Sequence, residues 1–158
     1  MSAVRANLSD DNSTNVLQLW TLLYRTEAMQ IKSAKDLTVH KTAYELAMEV
    51  FAISKHFSAE ERYSLTDQIR RSSRSVCGNL REAWSKRRYE AHFVSKLTDA
   101  DGENGETDTW LDFACNCHYL SKSDHTRLTD KCREVGAMLG RTIQKPSSFI
   151  LKSPPSGR

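Results

Sequence analysis

The sequence predicts an all-α fold, an up-and-down antiparallel four-helix bundle over residues 36–146. A poorly ordered or short-helical N-terminal extension (1–35) precedes it, and a basic C-terminal tail (147–158) follows. Three observations carry this reading. Apolar residues recur at helical spacing in four successive segments. Only 6 Gly and 3 Pro interrupt 158 residues, and Pro154 and Pro155 fall in the tail, so the punctuation of a many-turned β fold is missing. The links between segments are short and polar, which makes consecutive helices antiparallel neighbours.

The first helix is expected from Asp36, whose side chain can cap it, with Ala43, Leu46, Ala47, Val50 and Phe51 on one buried face. Phe57 closes it. Ser58-Ala59-Glu60-Glu61 has the spacing of a capping box, in which Ser58 takes a free first-turn amide and Glu61 reaches back. The second helix places Leu65, Ile69, Ser72, Val76, Leu80 and Ala83 along a bundle seam and ends near Ser85. After Ser85-Lys86-Arg87-Arg88, the third runs from about Tyr89 to Tyr119 or Leu120. Its inward stripe is Phe93, Leu97, Ala100, Asn104, Thr107, Leu111 and Ala114. Ser121-Lys122-Ser123-Asp124 repeats the capping pattern ahead of a fourth helix with Leu128, Cys132, Val135, Leu139 and Ile143 inside, and Pro146 stops it. Residues 101–108 are poor helix formers, Gly102 and Gly105 each costing about 1 kcal/mol relative to Ala. The stripe nevertheless stays in phase across them, and small residues there let another helix approach.

Residues 1–15 are polar and aperiodic; residues 16–24 hold a short apolar patch with Trp20, enough for two helical turns docked on the bundle or on a neighbour. Met29 is an alternative start. No run approaches the ~18–20 apolar residues that cross a bilayer, and the start lacks a basic region followed by an apolar core. A cytoplasmic protein with no membrane partner is expected. Cys77, Cys115, Cys117 and Cys132 read as reduced, partly buried thiols. Cys115-Asn116-Cys117-His118 does not read as a metal site, because on a helix the two cysteines point roughly 200° apart and no second ligand pair stands at zinc-like spacing. HExxH, GxSxG, P-loop and GxGxxG patterns are missing, and His40, His56, His92, His118 and His125 fall at helix ends or exposed-looking positions. The expectation is a non-enzymatic protein with no catalytic residue, metal or cofactor.

Net charge is +3, from 23 basic and 20 acidic residues, and its distribution is more telling than its sum. Within residues 62–88, Arg62, Arg70, Arg71, Arg74, Arg81, Lys86, Arg87 and Arg88 are accompanied only by Asp67 and Glu82. Residues 99–112 hold Asp99, Asp101, Glu103, Glu106, Asp108 and Asp112 without one basic residue. Folding the second and third helices back around Arg87 sets Arg70 and Arg71 opposite Glu106, and Arg74 opposite Asp101 or Gly102. Guanidinium forks on those carboxylates would fix helix register at little net stabilisation. Arg81, Lys86, Arg87 and Arg88, joined by Lys152 and Arg158, are left over near the turn. They suit phosphate contact with strong salt dependence, although a solvated basic turn needs no ligand.

The stretch Gln68-Ile69-Arg70-Arg71-Ser72-Ser73-Arg74-Ser75-Val76-Cys77-Gly78-Asn79-Leu80-Arg81-Glu82-Ala83 resembles a signature, QIRRA-x-x-SI-x-x-NI-x-EG. That signature belongs to the four-helix bundle proteins encoded in intervening sequences of bacterial large-subunit ribosomal RNA genes. Gly102-x-x-x-Glu106-x-x-Thr109-x-Leu111 is similar to the family's GS-x-x-E-L-x-T-x-L pattern, and Tyr119-Leu120-Ser121 and Val135-Gly136-Ala137-Met138-Leu139 are similar to its GYL-S and IGKML stretches. The resemblance spans roughly residues 35–143 and implies a ring-like homopentamer of four-helix subunits. Related accessory variability determinants of diversity-generating retroelements bind nucleic acid and a reverse transcriptase through a basic surface. Position by position, Arg70, Arg71, Asn79, Glu82 and Glu106 match the family's polar signature, which implies a structural polar network. The chain departs from the pattern at Asn104 and Thr107, where leucines are usual, at Glu103, where a small residue is usual, and at Ala83-Trp84, in place of Gly-aromatic.

The function expected is therefore a homo-oligomeric binding or scaffold bundle, with RNA or DNA held through Arg81, Lys86, Arg87 and Arg88. The alternative is a protein-binding adaptor, for example for a polymerase or reverse transcriptase. It would use an apolar groove near Trp84 or Trp110 and make no direct nucleic-acid contact.

Overall fold

A computed structural model of the chain describes residues 31–151. Trp20 and Met29 of the extension, and Lys152 and Arg158 of the tail, lie outside the described residues. Among the described residues are four α-helices: α1 (Thr38–Ser54), α2 (Leu65–Lys86), α3 (Glu90–Asn116) and α4 (Lys122–Gln144). Short 3-10 turns at Ala34–Asp36, Ala59–Glu61 and Pro146–Ser148 flank them. Each helix packs on its chain neighbours and α1 meets α4, so an up-and-down bundle closes within the compact unit Ser33–Arg158.

Several helix ends differ from the sequence reading. Asp36 does not cap α1. The capping box sits one turn earlier, where Ser33 Oγ accepts the Lys35 amide (3.1 Å) and the Asp36 carboxylate accepts the Ser33 amide (2.8 Å). Ser58 makes no cap hydrogen bond; Glu61 instead turns forward to accept from the Ser64 hydroxyl and the Leu65 amide (3.3 Å), so α2 starts at Leu65. Ser121 does cap α4, accepting the Asp124 amide at 3.1 Å. Pro146, which has no amide hydrogen, follows the end of α4 and opens the last 3-10 turn.

The third helix stops at Asn116 rather than at Tyr119 or Leu120. His118 adopts φ 61°, the Tyr119 amide donates to the Ala114 carbonyl (2.9 Å) and the His118 amide to that of Cys115 (3.1 Å). This is the Schellman ending, which favours glycine at the left-handed position. His118 is exposed there. His118→Gly is therefore expected to stabilise the fold by roughly 0.5–1 kcal/mol, the relieved Cβ strain outweighing the added unfolded-state entropy. A thermal melt checks this; a lowered Tm would show that the imidazole contributes more than it strains.

The core lies in two storeys. The lower, toward the α2–α3 turn, includes Val76, Leu80, Phe93, Leu97, Val135 and Leu139; the upper includes Leu46, Val50, Ile69, Leu111, Leu128 and Cys132. Between them runs a buried polar belt of Ser72, Ser73, Asn104 and Thr107. Asn104 Nδ2 donates to the Cys132 carbonyl (2.9 Å), and Thr107 Oγ1 lies 2.9 Å from both Ser72 Oγ and the Glu103 carbonyl. Asn104 Oδ1 is buried without a partner.

Residues 101–108 are helical, as the stripe requires, but among the described residues no other helix uses the space at Gly102 and Gly105, where an added Cβ meets nothing within 4 Å. The close approach is at Gly136, whose added Cβ would lie 3.4 Å from Asn104 Nδ2. The start of the tail packs on the lower storey: Phe149 stacks on Phe93 (6.1 Å between ring centroids) and the Leu151 amide donates to the Arg87 carbonyl (3.1 Å).

Candidate nucleic-acid interface

Successive residues of a helix diverge by about 100°, so neighbours such as Arg70 and Arg71 cannot serve the same partner helix. Arg71 faces α3. Its guanidinium bonds Glu106 at 2.6 Å and lies 3.6 Å from Glu103, and the Trp110 indole also donates to Glu106 (3.1 Å). The expected fastener between Arg71 and Glu106 is therefore present. With 47% of the arginine side chain and 35% of the glutamate exposed, it contributes roughly 0–1 kcal/mol and acts mainly on register.

Arg70 does not stand opposite Glu106. Its Nε donates to Ser54 Oγ of α1 (2.7 Å) and its guanidinium lies 5.0 Å from the Phe51 ring centroid. Arg74, one turn on, is 5.6 Å from the same ring rather than opposite Asp101 or Gly102. Both belong to the α1 side of α2, for the angular reason just given. Glu82 does join α2 to α3, but through Lys96 (3.1 Å), which also holds Asp99 (3.0 Å). Hydrogen bonds to Asp99 and then to Glu82 raise the Lys96 pKa. Half-buried Asn79 lines a shallow depression with Thr98, Asp99, Gly102, Glu103 and Glu106. Sequence reasoning missed Lys96 because it lies just outside the acidic block.

The outward face of α2 is basic. Asp67, Arg70, Arg71, Arg74 and Ser75 line an open groove, and exposed Arg74, Gly78 and Arg81 continue it at i, i+4 and i+7 spacing. From Arg70 to Arg81 the helix rises roughly 16 Å, at about 1.5 Å per residue. An added Cβ at Gly78 would meet nothing within 4 Å, so the middle of the stripe is open. Arg81, Lys86 and Arg88 are exposed at its end and make no ion pair with a described residue. Arg87 differs from them. It is half-buried, with its guanidinium 3.9 Å over the Trp84 ring, a cation–π contact, and it also donates to the Trp84 carbonyl.

Burial pushes the Cys77 thiol up to about 11 and the Cys132 thiol up to about 12, so both are protonated and poorly nucleophilic at neutral pH. Cys115 lies within α3 and Cys117 beyond its end. Among the described residues no group of three or more His, Cys, Asp and Glu is arranged to hold a metal ion, and no helix is long and apolar enough to cross a membrane.

No curated protein matches the chain significantly. Among solved structures, the chain is similar to a protein of unknown function from the S23 ribosomal protein family of Bacteroides thetaiotaomicron. The two share 27% identity with a TM-score of 0.63, over 70% of this chain and 99% of that one. The profile of the 23S rRNA-intervening sequence proteins matches residues 35–141, from the turn before α1 into the last turns of α4. On that match across all four helices, the chain belongs to the 23S rRNA-intervening sequence protein family.

Proposed function

We propose that this chain is a non-enzymatic, cytoplasmic, homo-oligomeric scaffold, a pentamer by family resemblance, that binds RNA or DNA through the arginine face of α2 and the basic turn after it. The observation that supports this most is the division of labour along α2. Arg71 is spent on Glu106 and Glu82 on Lys96, whereas Arg74, Arg81, Lys86 and Arg88 face solvent. A rigid helix carrying cations over roughly 16 Å offers a row of phosphate contacts without base readout, since a strand advances about 3.4 Å per nucleotide.

Such binding falls steeply with salt. The triple variant Arg74→Glu, Arg81→Glu, Arg88→Glu is expected to lose more than tenfold in affinity for a mixed-sequence strand and to flatten the salt slope by about three. Fluorescence anisotropy at several salt concentrations measures both, and sedimentation gives a particle well above the 18.0 kDa of one chain. Unchanged affinity in the variant would remove α2 as the binding face. The second reading, a protein-binding adaptor, is favoured by Phe113, 53% exposed beside Trp110 with ring centroids 5.7 Å apart. Trp84 is the weaker candidate because Arg87 covers its ring. In that case Phe113→Ala, not the arginine variant, would abolish partner capture, and salt would matter little.

A further inference from the structure

Three cations converge on one aromatic ring where α1 ends against α2. Lys55 Nζ lies 4.7 Å from the centroid of the Phe51 ring, and the guanidinium carbons of Arg70 and Arg74 lie 5.0 Å and 5.6 Å from it. Sharing that centre keeps every pair of charges within little more than ~10 Å, the screening length at 0.1 M salt, so they repel one another. None of the three forms an ion pair with a described residue. Asp67 lines the groove with Arg70, Arg71 and Arg74 but pairs with none of them, and Arg71 is taken up by Glu106.

The C-terminal end of α1 carries the equivalent of about half a negative charge, and Lys55, the C-cap residue, matches it. Nothing comparable offsets Arg70 and Arg74, which reach the ring from successive turns of α2. The ring attracts their guanidinium groups but does not cancel their charge. Arg70 is nevertheless held in place. Its Nε donates to Ser54 Oγ (2.7 Å), and that buried hydroxyl donates in turn to the Phe51 carbonyl (3.2 Å). The serine occupies Nε alone. The two terminal amino groups of Arg70, all the donors of Arg74 and the three of Lys55 have no acceptor among the described residues.

Charged donors without acceptors, gathered from two helices and steadied by a buried hydroxyl, make a seat for an oxyanion. We propose that Lys55, Arg70 and Arg74, grouped around Phe51, form a site for a single phosphate group. The proposal deepens the nucleic-acid reading and rests on it for the source of that phosphate. Lys55 is what sets this site apart from the rest of the basic face, because it comes from α1 and not from the α2 stripe. Three positive charges beside one carboxylate, Asp67, leave two to be neutralised. A terminal phosphate monoester, with roughly −1.5 to −2 at neutral pH, matches that better than the single charge of a backbone phosphodiester. A strand anchored here by its end lays its following phosphates along α2 toward Arg81.

Two measurements on the full chain test this. Sulfate is titrated at constant ionic strength while the arginine Nε–H resonances are followed by NMR. Those of Arg70 and Arg74 are expected to shift and saturate in the millimolar range, and that of Arg88 only to drift. A mixed-sequence strand with a phosphate at each end is then compared with the same strand ending in hydroxyls. The phosphorylated strand is expected to bind about tenfold more tightly, and Lys55→Gln to bring that ratio to about twofold or less. An Arg70 resonance that does not saturate in sulfate overturns the site, and this needs no variant to fold. A preference for the end phosphate that survives Lys55→Gln, or strand binding indifferent to both changes, also overturns it and leaves the nucleic-acid reading standing. If sulfate saturates and the two strands bind alike, with Lys55→Gln weakening both, the site stands with a backbone phosphodiester as its ligand. Sulfate saturation without binding of either strand supports the site with a free anion as its ligand and removes the nucleic-acid reading.

Discussion

Leu111→Ala is expected to cost about 3 kcal/mol of folding stability, and Leu139→Ala about the same. Both side chains are 0% exposed, Leu111 in the upper storey and Leu139 in the lower. Each truncation loses the transfer free energy of its methyl groups and leaves a hole. The neighbours of Leu111, among them Ile69 and Leu128, are anchored on other helices and close that hole only in part. The belt of Ser72, Asn104 and Thr107 separates the two sites, so their costs should add to within about 0.5 kcal/mol. The double variant then loses roughly 6 kcal/mol, comparable with the whole stability of an ordinary domain, and should be largely unfolded at room temperature. Urea unfolding of the single variants, with unchanged slope and lowered midpoints, measures this. A coupling well above that margin would show that the storeys act as one core.

Asn104→Leu is expected to act in the opposite direction, stabilising the protein by about 2 kcal/mol. The asparagine buries Oδ1 with no partner, a penalty of roughly 1–3 kcal/mol that a leucine does not incur. Removing Nδ2 takes a donor from the Cys132 carbonyl, but that carbonyl lies inside α4 and keeps its helical partner four residues on. Gly136 packs closely against the Asn104 side chain, so a leucine in its place is accommodated only if α4 gives way slightly. The same urea measurement decides. A lowered midpoint would mean either that a water completes Oδ1 or that the longer side chain crowds α4.

The seam of the bundle was legible because burial follows period. All seven α3 positions read as inward are buried, Asn104 and Thr107 included, since helical phase decides facing even where residue type argues against it. The helix ends were less legible. Ser58 and Glu61 have capping-box spacing, but a cap also needs the backbone to turn into a helix there, and the chain makes a 3-10 turn first. Ser33 and Asp36 have the same spacing and do close a box. In the candidate site, the Arg71–Glu106 pairing followed from charge blocks on a hairpin. Treating Arg70 as equivalent ignored the angle between adjacent residues and hid the α2 stripe that Arg70, Arg74 and Arg81 share. His40 looked like one more helix-end histidine, because its burial depends on where α2 and α4 lie, which no local pattern records.

An apolar surface that repeats every seven residues looks much the same after one helix slides past its neighbours by a repeat, about 10 Å of travel. The contacts of Thr107 with Ser72 and of Asn104 with Cys132 end that equivalence, because a displaced α3 would strand two hydroxyls and an amide against hydrocarbon. At 27 residues α3 is the longest of the four helices and has the most near-copies to distinguish. The molecule thus forgoes some cohesion so that a single alignment of that helix stands apart from its shifted versions.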